Sequence, residues 1–246
     1  ILSSSIIFWT LPVIALIGLI FGYFLFINFE TEDKEINKER KFSDVTIKDA
    51  ILYIKNTENI WILLMIGFGM MLFWSFPQPL LPLHSREVLN IGGSGYAILS
   101  GLYFAGSAIG SLLITFSIIK IRRSKILIIS ALLFAIFAML IYNSTSPIIC
   151  SILILASGVS HSIWWISMLV FIQTITKESY KGRIVGFYFS LMVSIALGSI
   201  LGGLIAEYIG IKLTIYIAMI SLIIIHLLAL FSNKFRKLDL VNQDSY

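Results

Sequence analysis

Seven long stretches without a charged residue constrain this chain more than any other feature of its sequence. They cover residues 6–28, 60–83, 95–119, 126–142, 147–175, 184–206 and 213–231. A helix needs about 20 apolar residues to cross the hydrocarbon layer of a bilayer. Transmembrane strands alternate apolar and polar residues, whereas these stretches are continuously apolar. The sequence therefore predicts an all-α membrane protein with seven transmembrane helices.

The composition agrees with a chain that has the lipid bilayer as its main partner. Hydrophobic residues make up 58% of the chain and charged residues 13%, and the mean hydropathy is +0.96. Soluble proteins have about 25% charged residues. The net charge of +5 does not indicate a nucleic-acid partner, because the basic residues form short clusters between apolar runs. Cys150, the single cysteine, lies inside an apolar run and is expected to be a small buried hydrophobe.

The basic residues also predict how the chain is threaded through the membrane. Sixteen of the 18 lysines and arginines lie in the first, third and fifth connections and in the C-terminal tail. Cytoplasmic loops carry an excess of these residues. We therefore expect a multi-pass protein of the cell membrane with residue 1 external and the C-terminus cytoplasmic. Asn143 begins a glycosylation sequon on the external side, but its loop is too short to expose a glycan readily.

The first connection, residues 29–59, differs from the others in its mixed charge. Its first part is typical of a solvated linker. In its second part Ile47, Ile51 and Ile54 recur at helical spacing, and Thr46 with Asp49 matches a capping box. The pattern predicts a short amphipathic helix on the cytoplasmic surface, either a plain connector packed against the bundle or a regulatory element.

Small residues predict where the helices approach each other closely. In the sixth span they recur every four residues and include Ser194, Gly198 and Gly202, and the third span carries Gly106 and Gly110. Lipid is as apolar as leucine, so membrane helices associate through close packing at small residues. The neighbours could lie within this unit or in another part of the protein.

Prolines cluster at the outer end of the second span. Pro77, Pro79 and Pro82 each lack the backbone donor that a helix needs, so we expect this helix to be broken or bent. Gln78 lies between two of these prolines. Its amide could meet a freed backbone carbonyl or a ligand.

The order of these features resembles exporters of the major facilitator superfamily. The stretch LLPLHSREVLNIGGSGYAILSGLYFAGSAIGSLL, residues 80–113, looks like the passage from helix seven to helix eight in the branch of macrolide-efflux and enterobactin-exporter-like proteins. The stretch IQTITKESYKGRIVGFYFSLMVSIALGSILGGLIAEYIGIKLT, residues 172–214, is similar to the passage from helix ten to helix eleven. The basic turn KIRRSK, residues 120–125, stands where the superfamily has a cytoplasmic loop, without the acidic residue and glycine common in the equivalent first-half loop.

The resemblance implies a division of the chain. The seven spans would be helices six to twelve, with residues 1–28 as the last helix of an N-terminal half and residues 29–59 as the cytoplasmic linker. Residues 60–233 would be the C-terminal six-helix bundle and residues 234–246 a cytoplasmic tail. Since the chain opens without an initiator methionine or a signal peptide, we expect the rest of the N-terminal half, about five more helices, to be a partner within the same polypeptide.

One titratable residue stands near the middle of the fifth span. Ser157, His161, Trp164 and Met168 follow i, i+4, i+7, i+11 spacing and so share one face of a helix. The resemblance implies that this span is helix ten, which lines the central pathway. An ionisable residue inside a membrane is a functional candidate, and histidine exchanges protons near neutral pH. His161 could line the pathway, carry a proton, or hold two helices together through a hydrogen bond.

The predicted function is secondary active transport by alternating access, with efflux of a lipophilic drug-like or siderophore-like molecule. No acidic residue lies inside a span, so proton coupling would depend on His161 or on residues outside this chain. The alternatives are a seven-helix receptor and a non-transporting scaffold. We expect no enzyme activity, cofactor or metal site, since no nucleophile–base pair or metal-ligand cluster stands out. His226 is expected to be structural, and His84 carries little information.

Overall fold

The computed structural model describes residues 46–116 and 123–231. The regular elements of this part are helices. They are α1 (Ile47–Asn56), α2 (Glu58–Trp74), α3 (Pro77–Glu87), α4 (Gly92–Thr115), α5 (Arg123–Asn143), α6 (Pro147–Ile175), a 3₁₀ turn (Glu178–Tyr180), α7 (Lys181–Ser190), α8 (Val193–Ile209) and α9 (Ile211–Phe231). The all-α prediction is confirmed, and the described residues contain six helical segments long and apolar enough to span a membrane. The predicted span 6–28, most of the linker, the basic turn at 117–122 and the tail lie outside the described residues.

Helix α1 is the predicted amphipathic helix, and its capping box is confirmed. The Asp49 backbone N–H donates to Thr46 Oγ1 at 3.2 Å, while the Thr46 backbone N–H donates to Asp49 Oδ2 at 2.9 Å. These bonds satisfy backbone donors that have no partner within a helix. They also hold the pKa of the Asp49 carboxyl below its usual value. The apolar face differs in part from the prediction, because Ile54 is buried while Ile47 and Ile51 are exposed.

The second span is broken where the prolines predicted a break. Helix α2 ends at Trp74, Ser75 and Phe76 form a turn, and α3 begins at Pro77. Pro79 has no N–H to give to the carbonyl of Ser75, four residues earlier. That carbonyl instead accepts from the backbone N–H of Gln78 at 3.2 Å and from Ser199 Oγ at 3.4 Å. A side chain from a neighbouring helix thus supplies a donor where the proline removed one.

The sixth span is also broken, which the sequence did not predict. Helix α7 ends at Ser190 and α8 begins at Val193, with a turn at Leu191 and Met192. The backbone hydrogen bonds tighten there to i→i−3, as between Ser194 N and Leu191 O at 2.9 Å. Two serine hydroxyls donate back to carbonyls of the same turns, Ser190 to Phe187 and Ser194 to Leu191. Such bonds compete with the helical ladder and bend it.

Helix α6 is the centre of the bundle. It packs along much of its length against α4 and α5, while α9 bridges α5 to α2 and α8, and α8 packs on both pieces of the second span. Gly210, with φ of +83°, is the only residue between α8 and α9, a left-handed position that suits a residue without a side chain. This arrangement brings the broken second span, α4, α5 and α6 around one cavity.

Candidate substrate pathway

A cavity of about 220 Å³ lies between the break in the second span and helices α4, α5 and α6. Six of its fourteen lining residues are aromatic: Trp74, Tyr96, Tyr103, Phe104, Phe134 and Tyr142. Apart from these rings, the polar side chains of the lining are Gln78, Ser100 and Ser157. No charged side chain belongs to this lining, as far as the described residues extend. The cavity is therefore suited to an apolar or aromatic surface with few polar groups.

Two hydrogen bonds fix the wall that the broken helix provides. Trp74 Nε1 donates to the hydroxyl oxygen of Tyr103 at 3.0 Å, which joins the end of α2 to α4. Tyr142 donates its hydroxyl proton to the carbonyl of Pro77 at 2.6 Å, which joins the start of α3 to α5. One bond lies on each side of the break, so the aromatic rings around it are held in fixed positions.

The predicted residue His161 lies at the edge of this aromatic group. Its ring stacks on the indole of Trp74, with centroids 4.5 Å apart and planes inclined by 9°. The rings of Tyr103, Phe134 and Trp165 each lie 6.0 Å from it. No described residue forms a hydrogen bond with either of its ring nitrogens. The half-buried imidazole is thus held by ring contacts.

The four residues predicted to share one face of α6 have two different environments. Ser157 lines the cavity and His161 stacks on a cavity residue, whereas Trp164 and Met168 are fully buried elsewhere. Trp164 Nε1 donates to Nε2 of His226 on α9 at 3.1 Å. Met168 lies beside Gly67 of α2, where an added β-carbon would be 3.5 Å from its methyl group.

The reason for the division lies in the length of α6. From Ser157 to Met168 the helix rises about 16 Å. Helices that cross at an angle stay in contact over only part of their length. One face of α6 therefore meets the cavity at one level and α9 and α2 at another.

Gln78 contributes to the cavity wall, since it lies in the first turn of α3 just after the break.

Sequence reasoning missed Trp74, Tyr103, Phe134 and Tyr142. The signal for Trp74 was its position three residues before Pro77. The others lie on faces of α4 and α5, and the orientation of those faces depends on tertiary packing. Tyr96 and Phe104 were likewise not singled out.

The predicted small residues of the third span meet the backbone of α6. A β-carbon added at Gly106 would collide with the carbonyl oxygen of Leu155, and one at Gly110 with the carbonyl oxygen of Val159. From the opposite side Gly158 approaches the carbonyl of Tyr103 equally closely. Ser107 donates a hydrogen bond to the carbonyl of Gly158 at 3.3 Å. The two backbones are thus in direct contact beside the cavity.

The small stripe of the sixth span is divided at the break. Ser194 is fully buried, a β-carbon at Gly198 would collide with the carbonyl of Leu72, and one at Gly202 would lie 2.9 Å from the α-carbon of Phe76. On the other side of the break Gly186 has no heavy atom within 4 Å of an added β-carbon among the described surroundings. The α8 half of the stripe therefore packs on the second span, and the α7 half is open.

The remaining two histidines are buried at other places. His226 uses both ring nitrogens, since Nδ1 lies 2.9 Å from the carbonyl of Leu222 and Nε2 accepts from Trp164. His84, in α3, packs against the ring of Tyr142 with centroids 5.0 Å apart. Its Nε2 is buried and has no hydrogen-bond partner among the described residues.

Comparison with known protein families shows which superfamily the chain is part of. The sequence model of the Major Facilitator Superfamily matches residues 63–242. The chain belongs to this superfamily. No curated protein and no solved structure gives a significant match. Membership makes this a major facilitator transporter and a multi-pass membrane protein, which favours transport over the receptor and scaffold alternatives.

Proposed function

We propose that this chain is the C-terminal half of an exporter of the cell membrane that works by alternating access, and that the aromatic cavity is part of its cargo pathway. The cavity carries this proposal. It lies between four spans of a superfamily member, at a point where one span is broken. Broken helices form binding sites in many transporters, because their half-helix ends and unwound backbone present polar groups to a ligand.

The proposed cargo is a lipophilic drug-like molecule. Six aromatic rings offer flat apolar surface, and Gln78, Ser100 and Ser157 offer a few hydrogen bonds. A siderophore-like cargo with several anionic groups is less well supported, since the lining has no cation to pair with them. The aromatic walls also suit a cargo with a delocalised positive charge.

The proposed partner of this bundle is an N-terminal half in the same polypeptide. In this division residues 1–28 are the last helix of that half, 29–59 the linker, 60–233 this bundle and 234–246 the tail. Two helices expose small residues that could meet it, at Gly101 and Ala105 on α4 and at Gly182 and Gly186 on α7. Exposed small faces allow close helix approach in a bilayer. The basic connections support a cytoplasmic linker and tail, and an external residue 1.

Proton coupling is proposed to pass through His161. Its nitrogens have no partner among the described residues, and its ring touches the wall of the cavity through Trp74. Alternating access would bring water to this ring from one side and then the other, and histidine can exchange a proton with that water. Protonation of His161 would then act on the cavity wall that the cargo contacts, because the ring stacks on Trp74.

The test is efflux of ethidium from cells that express the complete polypeptide containing this chain. Replacing a cavity side chain by leucine, as in Trp74→Leu or Gln78→Leu, is expected to reduce efflux while membrane abundance stays unchanged. An aromatic contact or a hydrogen bond contributes about 1 kcal/mol, so each variant should lose roughly fivefold in apparent affinity.

The chain offers matched controls for both variants. Trp61 and Gln173 are the same residue types in membrane spans, but both are exposed on the outside of the bundle and neither lines the cavity. Trp61→Leu and Gln173→Leu should transport as the unmodified protein does. The proposal fails if Trp74→Leu and Trp61→Leu have the same apparent affinity.

A further inference from the structure

Helix α1 has a face that the rest of the described protein does not cover. Ala50 and Ile54 are buried, while the side chains of Ile47, Ile51 and Leu52 are 60%, 42% and 57% exposed. An isolated exposed hydrophobe is ordinary, but three of them on a ten-residue helix form an apolar surface that needs a partner.

The orientation of α1 about its own axis is fixed by two contacts with the connection between α6 and α7. The rings of Tyr53 and Tyr180 stack with centroids 4.2 Å apart and planes inclined by 12°. The backbone N–H of Lys177 donates to the hydroxyl oxygen of Tyr53 at 3.3 Å. With Tyr53, Ala50 and Ile54 on the bundle, the face that carries Ile47, Ile51 and Leu52 is turned away from the other described residues.

The uncovered face combines apolar and basic side chains. At 100° per residue Ile47, Ile51, Lys55, Lys48 and Leu52 fall, in this order, within one arc of about 140°. Asp49, the one acidic residue of the helix, lies outside this arc and is held by the capping box. The face is therefore apolar at its edges and carries two positive charges in its middle.

The position of α1 decides what covers this face. Only Thr57 separates it from α2, and the membrane-spanning segment begins at Asn59. A helix joined so closely to the end of a span lies at the height of the lipid headgroups. Isoleucine and leucine can enter the edge of the acyl layer there, while lysine side chains extend to the phosphates. A protein partner fits less well, because lysine is depleted in protein interfaces.

We propose that the face formed by Ile47, Lys48, Ile51, Leu52 and Lys55 binds the surface of a bilayer that contains anionic phospholipids. Binding would hold α1 flat on the membrane. Through the Tyr53–Tyr180 stack it would also fix the connection that begins α7. The lipid thereby becomes a structural partner of the broken sixth span.

The experiment measures whether position 51 lies in lipid or in water. A nitroxide is attached to Ile51→Cys in the complete polypeptide, with the buried Cys150 replaced by serine, and the protein is reconstituted in phosphatidylcholine vesicles with or without phosphatidylglycerol. Oxygen, which concentrates in lipid, should relax this label more than a water-soluble nickel chelate does in the vesicles with phosphatidylglycerol. A label at Asn56→Cys, which is exposed outside the arc, is the control and should favour the chelate.

The variant Lys48→Gln/Lys55→Gln tests the part that charge plays. Each lysine near an anionic surface should contribute about fivefold to binding, so the double variant should lose most of the phosphatidylglycerol dependence at position 51. Equal chelate access at positions 51 and 56 would overturn the proposal by placing the face in water. Protection at 51 that is the same in both vesicle types and in the double variant would also overturn it, since a protein segment would then cover the face.

Discussion

Two pairs of tryptophan and histidine, each with one member on α6, show opposite uses of the same residue types. Trp164 and His226 meet at 69° with a hydrogen bond of 3.1 Å, and both residues are buried. Trp74 and His161 stack nearly parallel, at 9° and 4.5 Å, and the nitrogens of His161 have no partner within the described residues. The first pair joins α6 to α9, and the second borders the cavity.

The two pairs differ in what holds the imidazole. In the first pair Nδ1 of His226 donates to the carbonyl of Leu222, and Nε2 accepts from Trp164. These bonds define a neutral imidazole with its proton on Nδ1. In the second pair ring stacking fixes the position of the imidazole, and no described residue forms a hydrogen bond with its nitrogens. Burial and hydrogen bonds, more than residue type, decide the role.

The largest expected effect on stability tests the hydrogen-bonded pair. Trp164→Phe keeps an aromatic ring but removes the donor, which leaves Nε2 of His226 buried without a partner. We expect the free energy of unfolding to fall by roughly 1–3 kcal/mol. Thermal or denaturant unfolding of the purified protein in detergent measures it.

The adjacent tryptophan provides the control for this variant. Trp165 is half-buried and makes ring contacts with His161 and Tyr188, and no described residue accepts a hydrogen bond from its indole. Trp165→Phe should therefore cost less than Trp164→Phe. Equal losses for the two variants would contradict the structural role assigned to the Trp164–His226 pair.

A smaller effect on stability, with a larger one on transport, is expected at the stacked pair. His161→Asn keeps a polar side chain but cannot exchange a proton near neutral pH. We expect the free energy of unfolding to fall by about 0.5–1.5 kcal/mol, because ring stacking is lost but no hydrogen bond is. Efflux by the complete polypeptide should lose its dependence on external pH between about 5 and 8. An unchanged pH profile would remove His161 as the proton carrier.

Most of the fold was predictable because each membrane span is encoded by a continuous segment of apolar residues. A run of about 20 apolar residues is sufficient to predict a membrane helix, and the prolines from Pro77 to Pro82 predicted the break in the second span. The break at Leu191 and Met192 was not predictable in this way. It has no proline, and the serine hydroxyls that support it can equally occur in an unbroken helix.

The cavity was predictable only in part. The spacing on α6 correctly placed Ser157 and His161 on one face. It did not predict at which residue this face stops bordering the cavity and starts packing on α9 and α2. That depends on how α4, α5 and α9 cross α6, which is a tertiary property. For the same reason Trp74, which stacks on His161 from another helix, had no signal beyond its nearness to the prolines.

The accessibility of single cysteines along α6 tests most directly whether the cavity is part of the cargo pathway. It is measured in the complete polypeptide, with Cys150 replaced by serine. We predict that Ser157→Cys reacts with a membrane-impermeant thiol reagent during transport and is protected by a lipophilic cargo such as ethidium. Met168→Cys, on the same helix face but packed against α2, should stay unreactive. Equal reaction at both positions, or reaction at Ser157→Cys that cargo does not slow, would show that Ser157 does not line the cargo pathway.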